Sequence, residues 1–86
     1  MQETETMTIE VLGPGCANCR KLEARTGGAI ASLGIEASII KVTDFAEIAS
    51  RGVMSTPALT VNGHVVVTGR VPSISEIATL ISNAAP

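Results

Sequence analysis

The spacing of apolar positions changes several times along the chain, and each change marks an element. Residues 7–12, MTIEVL, form a short β-branched run of strand type. Gly13, Pro14 and Gly15 interrupt it. From Ala17 the pattern becomes helical: Leu22, Thr26, Ala29, Ile30 and Leu33 recur at three- and four-residue steps, with Gly34 as the C-terminal stop. Gly27 and Gly28 each weaken such a helix by about 1 kcal/mol relative to alanine. Either the helix bends there or a neighbour packs close to its backbone. Residues 35–42, IEASIIKV, read as a second strand. Strand, helix and strand at this spacing make a βαβ unit, whose crossover leaves the strands parallel.

The second half alternates faster. Asp44 and Glu47 have the spacing of a capping box, which predicts a short helix over 44–50 ending at Gly52. Residues 58–61 and 64–68 are two short strands around Asn62-Gly63, the dipeptide favoured in type I′ hairpin turns. Ser73 and Glu76 form another capping box just after Pro72. They open a last helix with Ile74, Ile77, Leu80 and Ile81 on its buried face. The order is βαβαββα. It predicts an α/β fold with a four-stranded mixed sheet flanked by three helices, in one domain over 1–86 with its core at about 7–83.

Composition narrows the functions. The chain of 86 residues is 45% apolar and 16% charged, with one phenylalanine and no tryptophan or tyrosine. The core is therefore aliphatic, and the aromatic platforms of single-strand nucleic-acid binders are missing. A net charge of −2, from six basic and eight acidic residues, offers no phosphate-binding field. Nucleic acid is not an expected partner. No apolar run approaches the ~20 residues of a membrane span. The polar start, MQETETM, lacks the basic and apolar regions of a secretory signal. The expectation is a cytoplasmic protein, where a stable structural disulfide is rare.

That expectation bears on Cys16 and Cys19, the only cysteines, in GPGCANCRK. Residues i and i+3 at a helix start lie on one face, and a disulfide needs Cα atoms about 4.4–6.8 Å apart. The pair can open and close with little backbone movement. Cys16 precedes or caps the helix, so unpaired N–H groups and the positive dipole end favour its thiolate, with Arg20 and Lys21 adding positive charge. Cys16 is then the exposed nucleophile and Cys19, one turn inside, the buried resolving thiol. Spacing alone leaves three uses open: redox exchange, metal binding and two incidental buried thiols. A zinc site needs four ligands, and only distant His64 stands beside the pair. His64 reads as an exposed turn residue, and Met54 as core or rim of the active surface.

GPGCANCRKLE after a strand, with STPALTVNG and Gly69 far downstream, resembles the thioredoxin-like superfamily, in particular its small redox-active disulfide proteins of about 80 residues. The resemblance covers roughly residues 7–83. It implies a thiol–disulfide oxidoreductase that needs no cofactor and binds no metal. Cys16 and Cys19 take the nucleophilic and resolving roles. Pro57 matches the cis-proline facing the pair, and Thr56 the residue whose backbone meets a bound substrate. Gly15, Ala17 and Asn18 stand where the family commonly has tryptophan and Gly-Pro, positions that tune potential and partner choice. Glu10, six residues before Cys16, matches a buried carboxylate, which makes it either a proton acceptor for Cys19 with its pKa raised by burial or a solvated strand-end carboxylate. The implied partners are a disulfide-containing target protein and a flavoprotein of thioredoxin-reductase type as electron donor, with the protein a monomer.

Two other readings compete. The first half also resembles a heavy-metal-associated domain, in which paired thiolates hold a soft ion such as Cu(I) or Hg(II). The methionine before that motif is missing here, and such domains lack the Pro-hairpin-helix ending. The third reading is a redox-inert adaptor that uses the same surface for binding.

Overall fold

The computed structural model describes residues 7–84. Strand β1 (Met7–Leu12) leads into helix α1 (Ala17–Leu33), then strand β2 (Ala37–Val42), helix α2 (Phe45–Ser50), strands β3 (Ala58–Val61) and β4 (His64–Thr68), and helix α3 (Ile74–Ala84). The sheet runs β2-β1-β3-β4. β1 is parallel to β2 and antiparallel to β3, which is antiparallel to β4. This is the α/β order and mixed sheet that the sequence pattern predicts. Among the described residues, no helix is long and apolar enough to cross a membrane.

Strand alternation sends β1 side chains to two faces. Met7, Ile9 and Val11 join Leu22 and Ala29 of α1, Leu59 and Val61 of β3, and Ile77 and Ile81 of α3 in the main core. Leu12, with Val42, Ala58, Val53 and Ile48 of α2, forms a smaller core on the opposite face. Two helices therefore cover one side of the sheet and α2 the other. Both cores are aliphatic, as the composition requires.

Local chemistry sets the ends of the elements. Gly34 takes a left-handed conformation (φ 68°) and its N–H reaches the carbonyls of Ile30 and Ala31, closing α1. The Asp44 side chain accepts from the N–H of Glu47 at 3.0 Å, and the Ser73 hydroxyl from that of Glu76 at 3.1 Å, so both capping boxes supply their N-cap bond. Asn62 and Gly63 both have positive φ, as a two-residue I′ turn demands. Asn62 also bonds Thr8 twice, through its N–H and its side-chain oxygen, tying the hairpin tip to β1. The glycine pair of α1 resolves at Gly28, where an added Cβ would meet Ile74 Cδ1 at 3.0 Å. The helix is crossed there by the start of α3.

Three expectations need correction. Residues 35 and 36 precede β2, and their backbone connects α1 to the sheet. Ile74 is 44% exposed, because its side chain covers Gly28 at the edge of the interface between α1 and α3. Met54 is 95% exposed and belongs to no core.

Candidate active site

Gly13-Pro14-Gly15 carries the chain from the end of β1 to the N-terminus of α1. The N–H of Gly13 donates to Val42 at 2.9 Å, which extends the pairing of β1 and β2 one residue past the strand. Gly15 then adopts φ 96°, a conformation side chains resist, and turns the chain into the helix. Cys16 is the N-cap of α1, with extended backbone (φ −71°, ψ 173°). Its carbonyl accepts from Arg20 N–H at 3.0 Å, the first bond of the helix. The Arg20 guanidinium folds back to the Gly15 carbonyl at 2.8 Å and braces the turn.

The two thiols share one face and differ in environment. Cys16 is exposed and Cys19 only 5% exposed. Their sulfurs lie 2.8 Å apart. The Cys19 thiol hydrogen-bonds Cys16 and pulls its pKa down, and the N–H groups of Cys19 and Asn18 add to the effect. Burial pushes the Cys19 pKa up, and its bond to Cys16 pushes the same way. The sequence assigned part of the first effect to Arg20 and Lys21. In the structure Arg20 serves Gly15, and the donors to Cys16 come from the helix turn and from Cys19.

Ala17 and Asn18 are exposed in the first turn, beside the exposed Gly15 and Cys16. Thr56 is exposed and Pro57 buried, and the peptide bond between them is cis. An added Cβ on Gly13 would overlap the Cys19 sulfur and lie 3.7 Å from Thr56 Cβ. Gly13 thus sits between the buried thiol and Thr56, which joins parts of the chain some forty residues apart. The Pro57 carbonyl accepts from Gly69 N–H at 2.8 Å, so the glycine at the end of β4 flanks the same loop. His64 is exposed at the hairpin tip, away from these contacts.

Glu10 does not have the environment expected of a carboxyl with raised pKa. Its neighbour Val11 belongs to the core under α1, so alternation sends Glu10 to the face of α2. There Arg51 donates to both carboxylate oxygens, at 2.7 and 2.9 Å, and the buried Thr60 hydroxyl donates at 3.0 Å. The Arg51 bond outweighs burial and holds the Glu10 carboxyl below its ordinary range. It is neither a raised-pKa base nor a free solvated end. It fastens the C-terminal cap of α2 to the sheet.

That pair gives an acid dependence. Because the folded pKa of Glu10 is depressed, its contribution is complete above the unfolded carboxyl value of about 4.3 and is lost as pH falls through the folded value. Arg51→Met should lower the urea midpoint at pH 7, and its gap to wild type should narrow at an acid pH below the folded Glu10 value. An equal gap at both pH values would show that the ion pair is not the cause.

An exposed thiol of lowered pKa touching a buried thiol of raised pKa defines a dithiol built for exchange with disulfides. The thioredoxin domain family model matches residues 7–82. A thioredoxin of Methanothermobacter thermautotrophicus is 38% identical over 76 residues, covering 88% of this chain and 99% of that protein. A thioredoxin of Methanocaldococcus jannaschii is 38% identical over 71 residues, covering 83% and 81%. A solved thioredoxin-2 from a malaria parasite superposes with a TM-score of 0.66 at 16% identity, over 91% of this chain and 82% of that one, and so shares the fold. The chain belongs to the thioredoxin domain family. It is a thiol–disulfide oxidoreductase, and neither the soft-metal nor the adaptor reading is favoured. Family membership implies disulfide-containing proteins as substrates.

Gly13, Arg51 and Thr60 are not singled out by the sequence pattern. Gly13 reads there only as a strand breaker. Arg51 and Thr60 lie on separate elements, and their meeting with Glu10 depends on how β1 pairs with β3 and packs against α2.

Proposed function

We infer that Cys16 attacks a protein disulfide and that Cys19 resolves the mixed disulfide. The observation that carries this is the asymmetry of the pair: one exposed sulfur with lowered pKa, 2.8 Å from one buried sulfur with raised pKa. In the first step the Cys16 thiolate bonds to one substrate sulfur and the other leaves as a thiolate. In the second, Cys19 loses its proton and attacks the Cys16 sulfur, releasing the remaining substrate thiol. Two electrons pass from the dithiol to the substrate.

Thr56 supports the substrate. It is exposed and makes no backbone hydrogen bond to another described residue, so its N–H and C=O are available to an extended peptide. Gly15, Ala17 and Asn18 complete the rim, and their small or short side chains leave Cys16 accessible. Pro57 follows Thr56, buried, with its carbonyl held by Gly69. Glu10 contributes rigidity through Arg51 and takes no proton. Reduction by a flavoprotein of thioredoxin-reductase type, monomeric action and a cytosolic setting fit a dithiol that must be regenerated in a reducing compartment.

The test is capture of the intermediate. Cys19→Ser, incubated with a disulfide-bonded protein such as insulin, should accumulate a covalent adduct through Cys16 that reducing agent releases, while multiple turnover with dithiothreitol should fall to background. An adduct located on residue 19 in the Cys16→Ser variant would reverse the assignment.

A further inference from the structure

Between the first turns of α1 and the end of β2 lies a cavity of about 290 Å³, lined by Val11, Gly13, Cys19, Glu23, Lys41 and Thr43 among others. Thr56 and Pro57 do not line it, so this opening reaches Cys19 from outside the substrate loop. Glu23 follows Cys19 by four residues and shares its helix face. Lys41 pairs with Val11 in the register of β2 on β1, and its Nζ lies 3.8 Å from Glu23 Oε1. The Glu23 side chain retains about a third of its exposure (35%), enough to remain hydrated.

We propose that Glu23 accepts the proton of Cys19 through water in this cavity, with Lys41 holding the carboxylate in place. This rests on Cys19 being the resolving thiol. Cys19 is buried and must lose a proton before it attacks, which requires an acceptor on its own side of the sheet. Glu10 does not qualify, since it is on the other face and occupied by Arg51 and Thr60. The charged groups facing the cavity are Arg20 and Glu23 from α1 and Lys41 from β2. β1 and its following loop contribute only Val11, Gly13 and Gly15. Arg20 is turned to the Gly15 carbonyl and is no acceptor. Among the described residues, Glu23 is the only carboxylate on the cavity wall. A volume of about 290 Å³ has room for several waters at roughly 30 Å³ each.

The step balances. The Cys19 proton passes by way of water to the Glu23 carboxylate, and the Cys19 thiolate forms a bond to the Cys16 sulfur. The bond between Cys16 and the substrate sulfur breaks, the leaving thiolate takes the electron pair, and the proton on Glu23 returns to solvent or to that thiolate. Glu23 touches the reacting sulfur only through water, so it is a positioning residue for the proton.

The experiment is a single turnover of the reduced protein with the aromatic disulfide DTNB. One thionitrobenzoate is released when Cys16 attacks and a second when Cys19 resolves, so the first phase is an internal reference. Glu23→Gln should slow the second phase about 100-fold at pH 7, the scale of a lost general base. That phase should then rise about tenfold per pH unit toward the pKa of Cys19, whereas wild type stays flatter. Acetate added to Glu23→Ala should restore part of the rate. A second phase with wild-type rate and pH profile, or a slowed one with wild-type profile and no acetate response, overturns the proposal. Separately, release of a second equivalent by Cys19→Ser would refute the resolving role itself.

Discussion

Cys16→Ser should reduce disulfide turnover at least ~10³-fold, to the uncatalysed background, while the fold stays intact. Losing a covalent nucleophile acts on that scale, because the hydroxyl that replaces it is protonated at every accessible pH. Stability is expected to change little, since Cys16 is exposed and its side chain makes no capping bond. The pH profile of the first DTNB phase carries the finer test. The thiolate is the attacking form, so the rate falls as pH drops through the Cys16 pKa, which lies below that of an ordinary thiol. The largest cause of that lowering is the bond from Cys19. Cys19→Ala, which removes the donor, should therefore move the acid limb of the first phase to higher pH. An unmoved limb would mean that the helix N–H groups alone stabilise the thiolate.

Legibility from sequence followed the range of the interactions. The hairpin limits at Ala58–Val61 and His64–Thr68 were readable because Asn62-Gly63 fixes the turn within four residues. The caps at Asp44 and Ser73 were readable for the same reason. The unequal cysteines followed from one helix turn. What failed depended on contacts far apart in the chain. The family resemblance picks out Glu10 by its place six residues before Cys16, but the side that carboxylate faces is decided by its parity with Val11, and its charge by an arginine 41 residues later. The cavity beside Cys19 needs the register of β1 on β2, which brings Lys41 opposite Val11 and close to Glu23. Composition and periodicity carry no register information when both strands are short and apolar.

Thr60 and Thr26 show the same division. Thr26 is buried in α1 yet satisfies its hydroxyl locally, on the Leu22 carbonyl one turn back at 2.7 Å. Its place in the helical stripe was therefore readable. Thr60 is equally buried but depends on Glu10, fifty residues earlier, for its partner. A threonine in a strand of otherwise apolar residues was the available signal. It pointed to a buried acceptor without saying which one.

Gly13→Ala should damage stability and the resolving step together. The Gly13 backbone is held by its bond to Val42, so it cannot slide away from α1 without breaking the sheet's last rung. A methyl there would overlap the Cys19 sulfur and press its Cβ at 3.4 Å, with Thr56 on the far side. Overpacking of this kind costs about 1–3 kcal/mol. The sulfur must yield, either by leaving its seat against Cys16 or by pushing the first turn of α1 outward. The urea midpoint should fall, and the second DTNB phase should slow more than the first, since only Cys19 is in direct overlap. The decisive variant is Gly13→Ala combined with Cys19→Ala. With the sulfur gone, the added methyl has space, and the double variant should be more stable than the sum of the two single losses allows. Strict additivity would place the damage in the Gly13 backbone instead. Coupling would identify the missing side chain at position 13 as the feature that lets a buried thiol lie directly under an exposed one.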